Sequence, residues 1–348
     1  MKLLVTRFSA MGDVALVTPA LRTIIAANPG IEITLVTRKL FAGFFNDMEG
    51  VRVVTADLKG RHKGIKGIWR LYRELADEGF DAYVDLHNVL RSKLLGLFVR
   101  LGGVSVVRLD KGRREKRAYI AGMSHQPLKH TVERYLETFD RLGLNTDPAS
   151  GPSIHPTAES RQQAEAILQG LGIRSGQHLV GVAPFAMHAP KMWPLENMRQ
   201  VLEALDQRGD VSVLLFGGGE KESSALETVA ADFSRVHSVA GRYGLEQELG
   251  LMSRLTLMLS MDSSNMHLAS LLGVPTFSIW GGTHPDLGFR AWGQEAGLEI
   301  QPPIKLACRP CSVYGGKPCR YGEPKCMQSI TPQSVSERLL SFLDSSSR

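Results

Sequence analysis

The sequence predicts an α/β protein with two doubly wound parallel sheets joined by a linker. Three observations predict it. Short apolar runs alternate with stretches of helical period, the pattern of a parallel sheet covered by helices on both faces. That rhythm breaks once, in a segment rich in Pro, Ser, Thr and Gly, and then restarts. At 348 residues the chain is also long enough for about two cores.

The elements follow in order. KLLVTRF (2–8) reads as a buried strand, and DVALVTPALRTIIAAN (13–28) has helical periodicity. EITLVTR (32–38) and DAYVDLH (81–87) are strands; GIKGIWRLYRELADEG (64–79) and RSKLLGLFVRLG (91–102) are helices. A long amphipathic helix at TVERYLETFDRLGL precedes NTDPASGPSIHPTAES (145–160), where the linker is placed. Beyond it HLVGVAPF, VSVLLFGGG, RVHSVAG, LTLMLSMD and VPTFSIWG read as strands. LENMRQVLEALDQRG, ESSALETVAADF and SNMHLASLLG lie between them as helices, and TPQSVSERLLSFL closes the chain. The expected organisation is a Rossmann-like domain over 1–157, a second over 158–330 and a closing helix over 331–348. A cleft is expected between the carboxyl ends of the two sheets, where such folds bind ligands.

Composition narrows the class. The chain is 43% hydrophobic and 22% charged, ordinary for a soluble protein. No apolar run reaches the ~18 residues of a spanning helix, and the N-terminal LLV is too short for a leader core, so a cytoplasmic protein is expected. The net charge of +6 is uneven. Residues 1–157 hold 24 Lys and Arg against 16 Asp and Glu, and the remainder 17 against 19. A basic half beside a near-neutral one points to an anionic partner: acidic lipid, a phosphorylated small molecule or nucleic acid. No nucleic-acid-binding signature accompanies the charge, and no nucleic-acid partner is expected. Cys308, Cys311, Cys319 and Cys326 fall in a Cys-rich loop (307–327). Four thiols this close can hold structural zinc, but only one pair has the two-residue spacing of a zinc ribbon; reduced thiols without metal are the favoured reading, with a bound metal the alternative.

Four motifs stand at the carboxyl ends of strands. In SAMGDVAL, Met11, Gly12 and Asp13 follow the first strand. A dinucleotide fold would carry G-x-G-x-x-G here, and only one glycine is present. Asp13 suits a helix N-cap, and it also suits a base that takes a proton from a hydroxyl. In APFAMHAPKMWPLENM, Lys191 could neutralise a phosphate or be a solvated loop lysine. Gly217 and Gly218 permit close backbone approach, and Glu222 could hold ribose hydroxyls or favour the start of its helix. In LSMDSSNMHLASLLGVP, Asp262, Ser263, Ser264 and His267 surround a helix start, a natural diphosphate site. There Asp262 would accept from sugar hydroxyls. Alternatively, Asp262 caps the helix and His267 packs in the core.

These motifs, together with DAYVDLHNVLRS and KHTVERYLETFDRLGL, resemble in order those of the lipopolysaccharide heptosyltransferases of glycosyltransferase family nine. The resemblance spans nearly the whole chain. It implies a GT-B fold, an ADP-heptose donor, inversion at the anomeric carbon, and neither a catalytic metal nor another cofactor. It implies Asp13 as the general base, Lys191 on the diphosphate side and Asp262, Ser263 and His267 at the donor. Ser264 stands where the family has Gly. The Cys-rich loop is similar to loops in several members, and no metal role follows from that.

On this reading the basic half binds the acceptor and the other half the nucleotide sugar, and two basic runs fit that division. Residues 59–73 carry six Lys and Arg and no acid; 108–117 carry six against two acids. Most such runs are solvated faces. Lys59, Arg61, Lys63 and Arg91 are the candidates for an anionic, lipid-linked core oligosaccharide acceptor, with peripheral contact to the inner membrane as a further expectation. The competing readings are a GT-B enzyme using another nucleotide sugar, including a nucleotide-sugar epimerase, and a non-catalytic nucleotide-sugar binder.

Overall fold

The computed structural model describes residues 1–174 and 176–346. Two compact units divide the chain, Met1–Arg113 with Lys129–His155, and Arg114–Leu128 with the chain from Pro156 onward. The linear reading has a single division near residue 157; the contacts instead group the basic stretch from Arg114 with the second unit. The charge moves with it: the first unit holds 21 Lys and Arg against 15 acids, the second 20 against 20.

The first unit carries a five-stranded parallel sheet of β1 (Lys2–Thr6), β2 (Glu32–Thr37), β3 (Val51–Thr55), β4 (Ala82–Asp85) and β5 (Ser105–Arg108). Their spatial order is β3-β2-β1-β4-β5. β1 is central, in register with β2 through Leu4 against Thr34 and with β4 through Leu4 against Tyr83. Apart from Lys2 and Glu32 at their first residues, β1 and β2 are buried throughout, as a sheet covered on both faces requires. The edge strands β3 and β5 were not read from the sequence. They are short and half-exposed, so they lack the continuous apolar run that marks the centre.

The helices of the first unit are α1 (Met11–Ala15), α2 (Val17–Ala27), α3 (Gly64–Leu75), α4 (Leu90–Leu101) and, after α5 (Arg113–Ile120), which from Arg114 on belongs to the second unit, α6 (Thr131–Asp140). The first predicted helix is two, broken at Leu16. Pro19 has no N–H to donate to the Ala15 carbonyl, and Thr18 Oγ1 donates to it instead at 2.8 Å. One face of the sheet packs against α3 and α4 through Leu4, Phe8, Val36, Ile68, Leu71, Tyr83, Leu95 and Val99.

The second unit repeats the plan with six parallel strands: β6 (His178–Ala183), β7 (Val211–Leu215), β8 (Val236–Ser238), β9 (Leu257–Met261), β10 (Thr276–Ile279) and β11 (Glu299–Ile300). Their order is β11-β10-β9-β6-β7-β8. The helices are α7 (Ala158–Gly170), α8 (Leu195–Gln207), α9 (Glu220–Ala230), α10 (Leu245–Met252), α11 (Ser264–Leu271), α12 (Lys325–Gln328) and α13 (Pro332–Ser346). α13 lies against α8 through Val335, Leu339 and Leu343, which join the core of Val201, Leu202 and Leu205.

The segment read as linker is more structured than its composition suggests. Thr157 accepts the Ser160 N–H at 3.1 Å and opens α7 inside it. Ser153 is buried, bonds Thr18 at 2.9 Å, and accepts from Arg22 through its carbonyl at 2.7 Å. α7 also needs Gly250: a Cβ there would stand 2.4 Å from the Ser160 carbonyl oxygen, so only glycine lets α10 approach α7 this closely.

Both sheets reverse direction of growth at one place, between β1 and β4 in the first and between β6 and β9 in the second. In open α/β sheets these switch points open a crevice at the carboxyl edge, and ligands bind there. The fold is thus two parallel-sheet α/β domains of the GT-B type.

Candidate functional site

Asp13 follows β1, at the first unit's switch point. It is not the cap of α1: Ala10 holds that position, without a side-chain bond. The Asp13 carboxylate turns back to Arg7, with Nη2 2.5 Å from Oδ2. Arg7 sits at the end of β1, 5% exposed, and its Nη1 donates to the Leu86 carbonyl beyond β4 at 2.7 Å. Its guanidinium also lies 5.8 Å from the centre of the Tyr135 ring, and the Tyr135 hydroxyl donates to the Asp13 carbonyl at 3.0 Å. Two strands and α6 therefore fix one carboxylate, whose side chain remains 32% exposed.

The loop after β4 closes this group from the other side. Asp85 Oδ1 accepts the N–H groups of His87 and Asn88 at 3.0 and 2.7 Å, making a tight turn. Asn88 takes φ +46°, the left-handed region that Asn tolerates better than most residues, and donates to the Leu109 carbonyl at 2.8 Å. Burial, reinforced by Arg7 and Lys111, lowers the His87 pKa to about 3, so the ring is neutral at neutral pH. Lys111 is lowered to about 8, first by burial and then by Arg7 and Arg113, with Asp13 opposing. Met11 and Gly12 open α1 beside Asp13, Gly12 buried.

In the second unit Lys191 ends a short 3-10 turn after β6, and Asp262 follows β9, so the two flank the second switch point. Lys191 Nζ lies 2.9 Å from Asp262 Oδ2, and both side chains are largely buried. The same carboxylate oxygen accepts from Thr283 Oγ1, beyond β10, at 2.7 Å. Gly282 N donates to the Pro190 carbonyl at 3.0 Å, tying the loop after β10 to the one carrying Lys191. Trp193 anchors that loop: buried, it donates from Nε1 to the Met327 and Ile330 carbonyls at 3.2 Å each.

Ser263 is the N-cap residue of α11 and Ser264 its first residue; both are half-buried. The alternative of Asp262 as the cap is therefore excluded. The N–H groups that open α11 stand beside the Lys191–Asp262 pair, a cation next to a positive dipole end. His267 is buried within α11. Gly217 and Gly218 follow β7, the neighbour of β6, and Glu222 Oε2 accepts the Gly218 N–H at 2.9 Å, bracing the turn into α9.

The acceptor-side candidates do not converge. Lys59 lines a hollow of about 420 Å³ with Arg38, Lys39 and Asp57 beyond β2 and β3. Arg61 pairs with Glu74 at 2.6 Å. Lys63 is the N-cap residue of α3, and Arg91 is exposed on α4. Among the described residues no group of three or more His, Cys, Asp or Glu could hold a metal ion. Gly315 of the Cys-rich loop covers the Lys191 stem so closely that a Cβ there would lie 2.5 Å from Cδ.

Sequence reasoning missed Arg7, Tyr135, His87, Lys111 and Thr283. Arg7 had a signal: a cation at the end of a buried central strand is itself buried and must find a carboxylate. Thr283 and Tyr135 had none, since their partners lie 21 and 122 residues away.

The model of glycosyltransferase family 9 (heptosyltransferase) matches residues 68–311. Lipopolysaccharide heptosyltransferase 1 of Pseudomonas aeruginosa is 26% identical, across 99% of this chain and 98% of its own length. Among solved structures, Escherichia coli ADP-heptose lps heptosyltransferase II superposes with a TM-score of 0.74 at 21% identity, covering all of both chains. E. coli heptosyltransferase WaaC with ADP-2-deoxy-2-fluoro heptose does so with a TM-score of 0.68 at 22% identity, over 98% of this chain and 99% of that one. A family match over more than half of the chain decides the assignment: this protein belongs to glycosyltransferase family 9, the heptosyltransferases.

Proposed function

We propose that this glycosyltransferase moves a heptose from ADP-heptose to the inner core of lipopolysaccharide, with inversion. The Lys191–Asp262 pair beside the start of α11 carries the reading. It sets a cation and free N–H groups where a diphosphate would lie, and a carboxylate where sugar hydroxyls would lie. An ADP-heptose analogue bound to a solved relative of the same fold supports the donor.

In the proposed step Asp13 accepts the proton of an acceptor hydroxyl. The oxygen bonds to the anomeric carbon as the bond from that carbon to the diphosphate oxygen breaks. ADP leaves with the electron pair, and its growing charge is met by Lys191 and the α11 N-terminus. Arg7 positions Asp13 by holding Oδ2. Met11, Gly12, Gly217, Gly218, Glu222, Ser263, Ser264 and His267 are the further donor-binding residues of this proposal. Lys59, Arg61, Lys63 and Arg91 meet the anionic acceptor, which is carried on a lipid at the inner membrane.

The test is a panel of nucleotide sugars scored by thermal stabilisation, followed by turnover with the stabilising donor. ADP-heptose should give the largest shift. A larger shift with a UDP-sugar would favour another GT-B activity, and release of nucleotide without acceptor would favour an epimerase.

A further inference from the structure

We propose that the outer face of α3 and α4 docks onto a bilayer carrying anionic lipid. α4 turns Leu95 and Val99 into the core, yet Leu90, Leu97 and Leu101 are 83%, 49% and 76% exposed. With half-buried Leu94 they recur at i, i+4, i+7 and i+11, a single stripe along the outside of the helix. α3 does the same: Ile68, Leu71 and Leu75 face inward while Ile65 and Trp69 are exposed, with Tyr72 completing their stripe.

The two stripes are joined. The Trp69 ring stands edge-on to Phe98 of α4 with centroids 5.0 Å apart, and 5.2 Å from Tyr72. Beside this ridge Lys66, Arg70 and Arg73 line α3 at i, i+4 and i+7, and Lys93 and Arg100 line α4; all are exposed. Residues 59–73 and 90–101 contain no acid. The adjoining Glu74 is taken up by Arg61 and His62.

Charge complementarity selects the occupant. Exposed leucines on two adjoining helices, with a tryptophan and a border of cations, form an amphipathic face that lies in the plane of a membrane surface. The apolar stripe enters the acyl boundary while the cations meet lipid phosphates. A nucleic acid would engage the cations and leave the leucines in water. A protein interface would pair a core this apolar with fewer lysines. The inference deepens the transfer reading, since a lipid-linked acceptor requires an enzyme at its surface, and it rests on that reading only for its biological purpose.

The experiment is sedimentation of the full chain with vesicles, either phosphatidylcholine alone or phosphatidylcholine mixed with phosphatidylglycerol. Binding is expected to the mixed vesicles only. Leu97→Ser with Leu101→Ser should weaken it by about tenfold or more through lost apolar burial. Lys66→Gln with Arg70→Gln should weaken it by roughly tenfold through lost charge. Melting temperature and ADP-heptose stabilisation should stay unchanged in both, because these side chains are exposed and are not among the proposed donor groups. Absence of binding by the parent chain overturns the proposal, as does undiminished binding by the serine variant. A parent dimer that the serine variant turns monomeric would assign the face to self-association instead. Failure of the transfer reading is seen separately, as absence of stabilisation by ADP-heptose.

Discussion

Arg7 Nη2 stands 2.5 Å from Asp13 Oδ2, and the same guanidinium is held by the Leu86 carbonyl across the switch point. An acid at this strand-to-helix turn would be out of place in a fold that only cradles phosphate. Here it is anchored by a buried cation and left one-third exposed, which suits the proposed base, a group that would have to stay in position and meet a substrate. Arg7→Met should therefore cost turnover through Asp13's orientation, by about tenfold to a hundredfold. Because a charge-assisted hydrogen bond is lost, it should also cost about 1–3 kcal/mol of stability in urea titration. Arg7→Lys should recover stability better than turnover, since an ammonium cannot hold Asp13 and the Leu86 carbonyl with the same fork. Equal recovery of both would make Arg7 purely structural.

The Lys191–Asp262 pair makes a second prediction. Lys191→Ala removes the proposed phosphate partner and also leaves the Asp262 carboxylate buried with Thr283 but without its cation. Donor KM should rise and the melting temperature should fall. Adding Asp262→Asn should restore much of the melting temperature without restoring donor use. If donor KM is unchanged in Lys191→Ala, the lysine serves only to neutralise Asp262.

The sheets were legible because their central strands are buried on both faces, so β1, β2, β6, β7 and β9 appear as short, mostly apolar runs. β3 and β5, half-exposed at an edge, do not. Asp13, Lys191 and Asp262 were legible because each follows such a strand. Their partners were not. A bond such as Thr283 to Asp262 is made by the packing of β9 beside β10, and periodicity records which face a residue takes, never which neighbour it meets. The same limit hid the break at Leu16, which depends on a carbonyl that Pro19 cannot reach.

His87 predicts a pH effect. Its pKa is about 3 in the folded chain and near the ordinary His value when unfolded. Below about pH 6.5 the unfolded state therefore binds the extra proton, and stability is lost as pH falls toward 3. His87→Gln should flatten this acid limb by up to about 1.4 kcal/mol per pH unit between pH 6 and 4, measured by urea titration at each pH. An unchanged slope would show that His87 already charges in the folded protein.

The cysteines should differ in reactivity. Burial, together with the neighbouring cysteines, raises the Cys311 and Cys326 thiols above the ordinary range, so little thiolate forms at neutral pH. Alkylation followed by mass spectrometry should label both slowly. Protein purified without chelator should contain well under one zinc per chain. Stoichiometric metal, lost together with stability on chelation, would overturn this reading of the loop.

The last prediction concerns Asp13. Attack by a sugar hydroxyl on the anomeric carbon requires loss of its proton as the new bond forms, and a carboxylate held at hand can take it. Asp13→Asn keeps the size of the side chain and still offers Arg7 an oxygen, so the turn after β1 should survive with the weaker bond of a neutral acceptor. The amide cannot act as a base. Turnover with saturating donor and acceptor should fall by roughly two to four orders of magnitude, the usual range for loss of a general base. Donor affinity should change little, because the proposed nucleotide contacts lie on Lys191 and α11. Loss of orientation alone would be smaller, and it would resemble Arg7→Met. Asp13→Asn must therefore be the more damaging of the two, in a protein whose melting temperature is the less disturbed. Near-normal turnover in a well-folded Asn variant would leave the Arg7–Asp13 pair as a brace between β1 and β4, and the proposed reaction would need a different base.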